Sequence, residues 1–344
     1  MKPIRVLVVE DSLTVRKLLC EIIASDARFE LVGEAEDGKR AIELCLARRP
    51  DVISMDMMLP QMSGLAVTEY VMAHCPTPIL IVSSSHNRGD VFKTYEALAA
   101  GAVDVMEKPL ADAPQGSWEQ GYVDMLALVS RIRVITHPRA RLPQLREAPP
   151  QKAGGHPYRL VAIGASTGGP RAIVEVLNGL PTDLRVPILV VLHIADPFGS
   201  DFADWLDAQV DQPVRFAQQG GHLAPGVHLA PPGRHLVVER GLLRLVDWPE
   251  RHSCRPSVDV LFESIAADCG RSVAACLLTG MGTDGALGLL AIRRAGGLTI
   301  AQDEATSVVY GMPREAAVLG AAQYVQALGE IGPTLAANLR EHRE

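Results

Sequence analysis

Ser166 stands in a run of small residues, Gly164-Ala165-Ser166-Thr167-Gly168-Gly169-Pro170, where hydroxyl groups are the only side-chain chemistry on offer. Just before it, Arg159 to Ile163 is a short apolar, β-branched run that predicts a buried strand. Just after it, Pro170 suits a first helical turn, and Ala172, Ile173, Val176 and Leu177 supply an apolar stripe. A strand feeding a helix through such a turn aims backbone N–H groups at one spot and favours negative charge there. Three uses fit: a cradle for a phosphate or dinucleotide, a nucleophile with turn amides stabilising an oxyanion, or a plain turn. The turn matches neither G-x-G-x-x-G, nor the P-loop, nor G-x-S-x-G, so taken alone it leaves all three open.

A nucleophilic serine needs a base within hydrogen-bond reach, and that base needs an acid to fix its tautomer. Val186 to Ile194 predicts a second buried strand with His193 near its end. Val273 to Leu278 predicts another, followed by the turn Thr279-Gly280-Met281-Gly282-Thr283-Asp284-Gly285. Ser166, His193 and Asp284 thus each fall at or just past the end of a different strand, and one edge of a parallel sheet can gather them. Each also has an ordinary reading: a strand-end histidine is commonly structural, and the Gly282–Gly285 turn can bind phosphate or only reverse the chain. The chain order Ser…His…Asp is not that of the α/β-hydrolases and adds no support. His222, His228 and His235 are a second, metal-binding candidate. They lie among hairpin and proline signals, with no carboxylate or cysteine partner evident.

A different chemistry is written into the N-terminal third. Ile4 to Val9 runs into Glu10-Asp11, Asp51 to Met55 into Asp56, and Pro78 to Val82 into Ser83. Ala102 to Met106 is followed by Glu107-Lys108. Three carboxylates brought together repel and call for a divalent cation, and an all-oxygen donor set suits Mg²⁺. Lys108 and the Ser83 hydroxyl then become fixed partners for a phosphoryl group. Singly, each residue is unremarkable, since Glu10-Asp11 can be a helix N-cap region and strand-end aspartates are common in loops. All five at strand ends of one sheet point to phosphoryl chemistry.

The elements that position these residues alternate strand and helix. Helical spacing over Ser12 to Ile23 and Gly38 to Arg48, with a strand at Phe29 to Glu34, predicts a parallel sheet covered on both faces. In such sheets, sites form beyond the carboxyl ends of the strands. Ser117 to Ile135 reads as the last helix of this unit. The pattern then dissolves from Thr136 to Pro157, which carries Pro138, Pro143, Pro149 and Pro150 with Arg139, Arg141 and Arg146. This is the composition of an extended, partly stiff linker. Beyond it, helices are expected at Phe198 to Leu206, Val258 to Ala267 and Ala286 to Ala295, and a strand at Leu298 to Ala301. Turn signals from Val214 to Leu245 predict β-hairpins. The expected fold class is therefore α/β, with two doubly wound parallel-sheet domains, residues 1–130 and 158–344, joined by a linker at 131–157. The second domain carries the hairpin insertion.

Composition narrows the function classes. The 344 residues, 48% hydrophobic and 21% charged, suffice for two packed cores. A net charge of −7 argues against broad nucleic-acid binding, and nothing after residue 158 reads as a basic recognition helix. No apolar run approaches the ~18 residues of a membrane span, and the N-terminus enters a strand without a signal peptide. The six cysteines, without a C-x-x-C pair, read as buried thiols of a reducing compartment, so a cytoplasmic location is expected.

Taken together, the five strand-end residues of the N-terminal unit resemble the response-regulator receiver domain over roughly residues 1 to 125. That resemblance implies Asp56 as phospho-acceptor, Glu10 and Asp11 with Asp56 as holders of Mg²⁺, and Ser83 and Lys108 as readers of the phosphate. A histidine kinase is the implied phosphodonor. Val105 stands where the family often has an aromatic switch residue, three positions before Lys108. In the second unit, GASTGGP, LHIADPF, RPSVDVLF, LLTGMGTDGALGL and AQDEATSVVYGMPREA resemble the chemotaxis protein-glutamate methylesterase family (CheB). This implies Ser166 as nucleophile, His193 as general base and acid, and Asp284 as orienting carboxylate. Thr167 and Met281 match active-site positions, with the Met281 backbone N–H as oxyanion donor. Leu192 replaces a glutamine frequent in the family. The implied activity is phosphorylation-activated hydrolysis of glutamate γ-methyl esters on methyl-accepting chemoreceptors, with deamidation of receptor glutamines by the same chemistry. Only the receiver is expected to need a cofactor, Mg²⁺. The competing reading is a response regulator whose second domain only binds a partner.

Overall fold

Val6 to Val9, Ile79 to Val82, Leu160 to Ile163 and Val273 to Leu277 are continuous apolar runs with no solvent-facing alternation, the pattern of strands buried on both faces. In the computed structural model they form two parallel sheets, one in each of the two units into which the chain divides, Met1–Leu145 and Arg146–Glu344. The structure describes residues 2–84, 88–109, 116–132, 134, 158–194 and 198–339.

The first unit holds β1 (Ile4–Val9), α1 (Leu13–Ser25), β2 (Phe29–Ala35), α2 (Gly38–Arg48) and β3 (Val52–Met55). It continues with α3 (Gly64–His74), β4 (Ile79–Ser83), α4 (Arg88–Ala100), β5 (Asp104–Glu107) and α5 (Ser117–Val129). The strand order is β2-β1-β3-β4-β5, all parallel. The chain therefore leaves β1 towards one edge and returns at β3 towards the other. The crevice at this reversal, beyond the carboxyl ends of β1 and β3, is where such sheets form sites. Helix starts are set locally: the Asp37 side chain accepts from Arg40 N at 2.8 Å at the head of α2. The α5 helix stops at Val129, six residues short of the expected Ile135. Of the expected linker, only residues 131, 132 and 134 are among those described.

The second unit opens with β6 (Leu160–Ala165), α6 (Gly169–Asn178) and β7 (Pro187–Leu192), then a 3₁₀ turn at Phe198–Asp201 leading into α7 (Phe202–Asp207). Next come β8 (Val214–Phe216), β9 (Gly226–Leu229), β10 (His235–Glu239), β11 (Leu242–Val246) and α8 (Val258–Cys269). The chain closes with β12 (Val273–Leu277), α9 (Ala286–Arg294), β13 (Leu298–Gln302), α10 (Met312–Val318), β14 (Tyr324–Gln326) and α11 (Leu328–Leu339). Seven strands in the order β14-β13-β12-β6-β7-β9-β8 form the sheet, again all parallel. Its reversal falls between β6 and β12. Helices α8 and α9 cover one face through Val258, Leu261, Phe262, Leu289 and Ile292, all fully buried, while α6 packs against α11.

The hairpin expectation for Val214 to Leu245 holds only for β10 and β11, which pair antiparallel. By contrast β8 and β9 pair parallel to each other and extend the main sheet beyond β7. The turn signals located the chain reversals but could not say which neighbour each short strand would choose. None of the helices among the described residues is long and apolar enough to cross a membrane.

Candidate functional site

The β6 strand ends at Ala165, and Ser166 follows at the first residue of the turn, with its N–H bonded to Thr279 O at 3.0 Å. That bond ties the β6 turn to the loop after β12. Gly280 lies directly beneath: a Cβ there would sit 2.7 Å from Ser166 Cβ, so only glycine lets the two loops close on each other. Thr279 knits them further, its hydroxyl donating to Thr167 O at 3.0 Å and accepting from Val309 N at 2.9 Å. Gly168 closes the turn at φ 77°, a conformation that favours glycine, and α6 begins at Gly169 with Pro170 in its first turn.

His193 follows β7 and is pinned beside the serine turn by its N–H to Ala165 O at 3.0 Å. Its ring Nε2 lies 2.9 Å from Asp284 Oδ2. Asp284 is buried and accepts three more hydrogen bonds, from Ser257 Oγ at 2.8 Å, Val258 N at 2.7 Å and Asp259 N at 3.0 Å. These come from the N-terminus of α8, where unpaired N–H groups and the helix dipole favour an anion. Burial alone would raise the Asp284 pKa, but the His193 imidazole, the Asp259 N–H and the Ser257 hydroxyl bring it below the usual carboxylate range. Burial likewise pulls His193 down, yet the bonds to Asp284 and Cys254 win and push it up to about 9. With Nε2 on the carboxylate, Nδ1 is the nitrogen left for proton transfer. Among the described residues, nothing hydrogen-bonds the Ser166 hydroxyl. Thr167 is buried in the turn; Met281 is exposed, and no described residue accepts from its N–H. The sheet edge thus brings together Ser166, Thr167, His193, Met281 and Asp284.

Three features here were not read from the sequence. Ser257 and the first α8 amides are legible in retrospect, because Ser257 before Val258–Cys269 is an N-cap, its hydroxyl 3.3 Å from Val260 N. What the spacing could not say was that this helix end would face a carboxylate from the next loop. Cys254 carried no signal at all; its Sγ lies 3.6 Å from His193 Nδ1. The expectation of six buried thiols is corrected accordingly, with Cys45, Cys75 and Cys276 buried and Cys20, Cys254 and Cys269 only half-buried.

The histidine alternative is not assembled among the described residues. His228 Nε2 and His235 Nε2 meet the carbonyls of Ala224 and Pro249 at 2.8 and 3.1 Å, while His222 bridges to Leu242. Backbone partners, rather than one another, take up these polar contacts and leave the three histidines structural.

In the first unit, Glu10 follows β1, Asp56 follows β3, Ser83 ends β4 and Lys108 follows β5. Lys108 Nζ reaches Glu10 Oε1 at 2.9 Å and Asp56 Oδ2 at 3.0 Å. Oxygens of Glu10, Asp11 and Asp56 come within 4.8 Å of one another, with Glu10 and Asp56 buried and Asp11 exposed. Burial, then the Asp56 charge, push Glu10 up to about 7 despite Lys108. Ser83 is fully buried, and among the described residues its hydroxyl has no partner. An orphaned hydroxyl and under-neutralised carboxylates on one sheet edge fit a site completed by an exogenous cation and an oxyanion. Val105, in place of an aromatic, is buried in β5.

Comparison with known proteins follows the same division. Residues 161–335 match the CheB methylesterase family and residues 6–114 the response regulator receiver domain family. Over 331 residues the chain is 45% identical to the protein-glutamate methylesterase/protein-glutamine glutaminase 2 of Anaeromyxobacter dehalogenans, covering 96% of this chain and 95% of that one. A protein of the same name from Pseudomonas aeruginosa is 44% identical over 343 residues, covering 97% and 96%. The crystal structure of the Thermotoga maritima CheB methylesterase catalytic domain matches with TM-score 0.50 and 34% identity, over 52% of this chain and 97% of that one.

Proposed function

The chain belongs to the CheB methylesterase family and carries a response-regulator receiver domain, and from that premise we propose that it is a phosphorylation-activated protein-glutamate methylesterase and glutaminase. The observation that supports this most directly is the carboxylate–imidazole pair at the strand ends beside Ser166, with Asp284 fixed by three donors besides His193. In the proposed reaction, Ser166 attacks the γ-carbonyl carbon of a glutamyl methyl ester while His193 Nδ1 takes the serine proton. The tetrahedral oxyanion accepts from the Met281 N–H. His193 then returns the proton to the departing methoxide, releasing methanol, and the same pair activates a water that frees the acyl group as glutamate. A glutamine side chain enters the same cycle with ammonia as leaving group. Thr167 shapes the serine turn. The substrate is a methyl-accepting chemoreceptor, and the working location is the cytoplasm, where such helices and their kinases meet.

Residues 1–130 act as the receiver, 131–157 as the linker and 158–344 as the catalytic domain. Asp56 is the phospho-acceptor, with a histidine kinase as donor. Glu10, Asp11 and Asp56 are the residues that would hold Mg²⁺, which when bound neutralises the charge developing on a transferring phosphoryl group. Lys108 and the unpartnered Ser83 hydroxyl contact the resulting acyl phosphate.

The test is methanol release from methylated receptor membranes, with and without Mg²⁺ and a small-molecule phosphodonor. Release that rises with the donor in wild type, is unstimulated in Asp56→Asn and disappears in Ser166→Ala is the expected result. No release from wild type on any receptor would favour the binding-module alternative.

A further inference from the structure

Cys254 occupies a position that the serine mechanism does not require. Its Sγ lies 3.6 Å from His193 Nδ1, on the opposite side of the ring from Asp284, and 3.4 Å from His252 O. Sγ, an imidazole nitrogen and an Asp284 oxygen all fall within 4.8 Å of one another. Nucleophile, base and orienting acid are therefore in the arrangement of a cysteine hydrolase, with the last two shared with Ser166.

Nor is the thiol there by accident of a loose loop. It ends a tight turn closed by mutual backbone bonds between Arg251 and Cys254, at 3.2 and 3.0 Å. His252 and Ser253 are held at φ 53° and 58°, a region that side chains rarely adopt. The turn is clamped onto α8 by a two-pronged Arg251–Glu263 pair at 2.5 and 2.7 Å and by His252 Nε2 to the buried Asp259 carboxylate at 3.0 Å. Strained backbone fixed by two side-chain pairs holds one sulfur against one nitrogen.

We propose that Cys254 is a second nucleophile of this site and a modification site for soft electrophiles such as hydrogen peroxide, whose reaction there silences the ester chemistry. The thiol proton passes to His193 Nδ1 and the thiolate attacks one peroxide oxygen. The S–O bond forms as the O–O bond breaks, and the departing hydroxide takes the proton from Nδ1 as water. Sulfur is oxidised to a sulfenic acid and peroxide is reduced to water. A sulfenic acid against Nδ1 obstructs the nitrogen that must receive the Ser166 proton; this last consequence rests on the proposed function, whereas the thiol reactivity does not.

The experiment is limiting iodoacetamide on the full chain, read cysteine by cysteine by peptide mass mapping. Cys254 is expected to be alkylated roughly tenfold faster than the other half-buried cysteines, Cys20 and Cys269, and to lose that lead in His193→Gln. Equal rates at the three, or a lead that survives His193→Gln, overturns the proposal. In a second arm, hydrogen peroxide should lower wild-type methanol release, with recovery on dithiothreitol. Cys254→Ser, whatever its own rate, should keep that rate after peroxide; an equal fractional loss in this variant refutes the silencing. If methanol release is absent throughout, the alkylation arm still decides the reactivity of the thiol.

Discussion

Among the described residues, Asp284 accepts four hydrogen bonds, whereas Glu10 and Asp56 share one lysine, with a single backbone donor, Ser12 N–H, added at Glu10. Both groups sit where a parallel sheet reverses its strand order, so the architecture is the same and the neutralisation differs. At the second sheet burial would raise the carboxylate, but the His193 imidazole first, and then the Asp259 N–H and Ser257 hydroxyl at the α8 N-terminus, hold its pKa below the usual range. At the first, burial of Glu10 without enough donors pushes it up to about 7. A carboxylate satisfied from within can orient a base; carboxylates left short of positive charge wait for an ion from outside. On the proposed function, one edge serves covalent chemistry within the chain and the other an external cation and phosphoryl group.

Breaking the internally satisfied site should cost most. Asp284→Asn keeps the shape but removes the charge that the α8 amides and His193 face. Turnover is expected to fall by about 10⁴-fold, the scale for losing the orienting carboxylate of a serine triad. Single-turnover methanol release on methylated receptor would measure it. A loss below tenfold would remove Asp284 from the orienting role.

The next effect is a pH profile. His193 is pushed up to about 9, so its basic form is scarce at neutral pH. For a single base of that pKa, kcat/KM should rise about 50-fold between pH 7 and 9 and level about twofold higher above pH 10. A plateau already reached by pH 7 would show that the imidazole is not held protonated by Asp284. Stability runs the other way. Because the folded-state pKa is raised from 6.5, this pair stabilises the fold fully below pH 6.5, and that contribution is lost as pH rises through about 9.

How much of this contrast was legible in the sequence follows from what makes each part local. Strand ends are local, so Glu10, Asp56, Ser83, Lys108, Ser166 and His193 could be placed on sheet edges from apolar runs alone. The neutralising groups are not local. The Asp284–α8 contact joins residues 25 to 27 apart, and the Cys254–His193 contact joins residues 61 apart. No period or turn signal encodes such pairs. The same reason explains the β8 and β9 correction: hairpin turns announce a reversal, while parallel pairing to β7 is decided by the sheet.

The smallest expected effect sharpens the contrast from the receiver side. Glu10 is raised from 4.5 to about 7, so the folded state holds its proton more tightly than the unfolded chain. Ionising it therefore lowers stability as pH climbs from 4.5 towards 7, the sign opposite to that of a carboxylate whose folded-state pKa is depressed. A divalent cation reverses the cost by supplying the missing charge, and it must displace the Glu10 proton to do so. Mg²⁺ affinity, measured calorimetrically on the full chain, should be about tenfold weaker at pH 6 than at pH 8, where Glu10 is already ionised. Glu10→Gln should bind more weakly and lose that pH dependence. An affinity that is flat between the two pH values in wild type would mean that Lys108 already neutralises Glu10. The two sheet edges would then not differ in the way their hydrogen bonds imply.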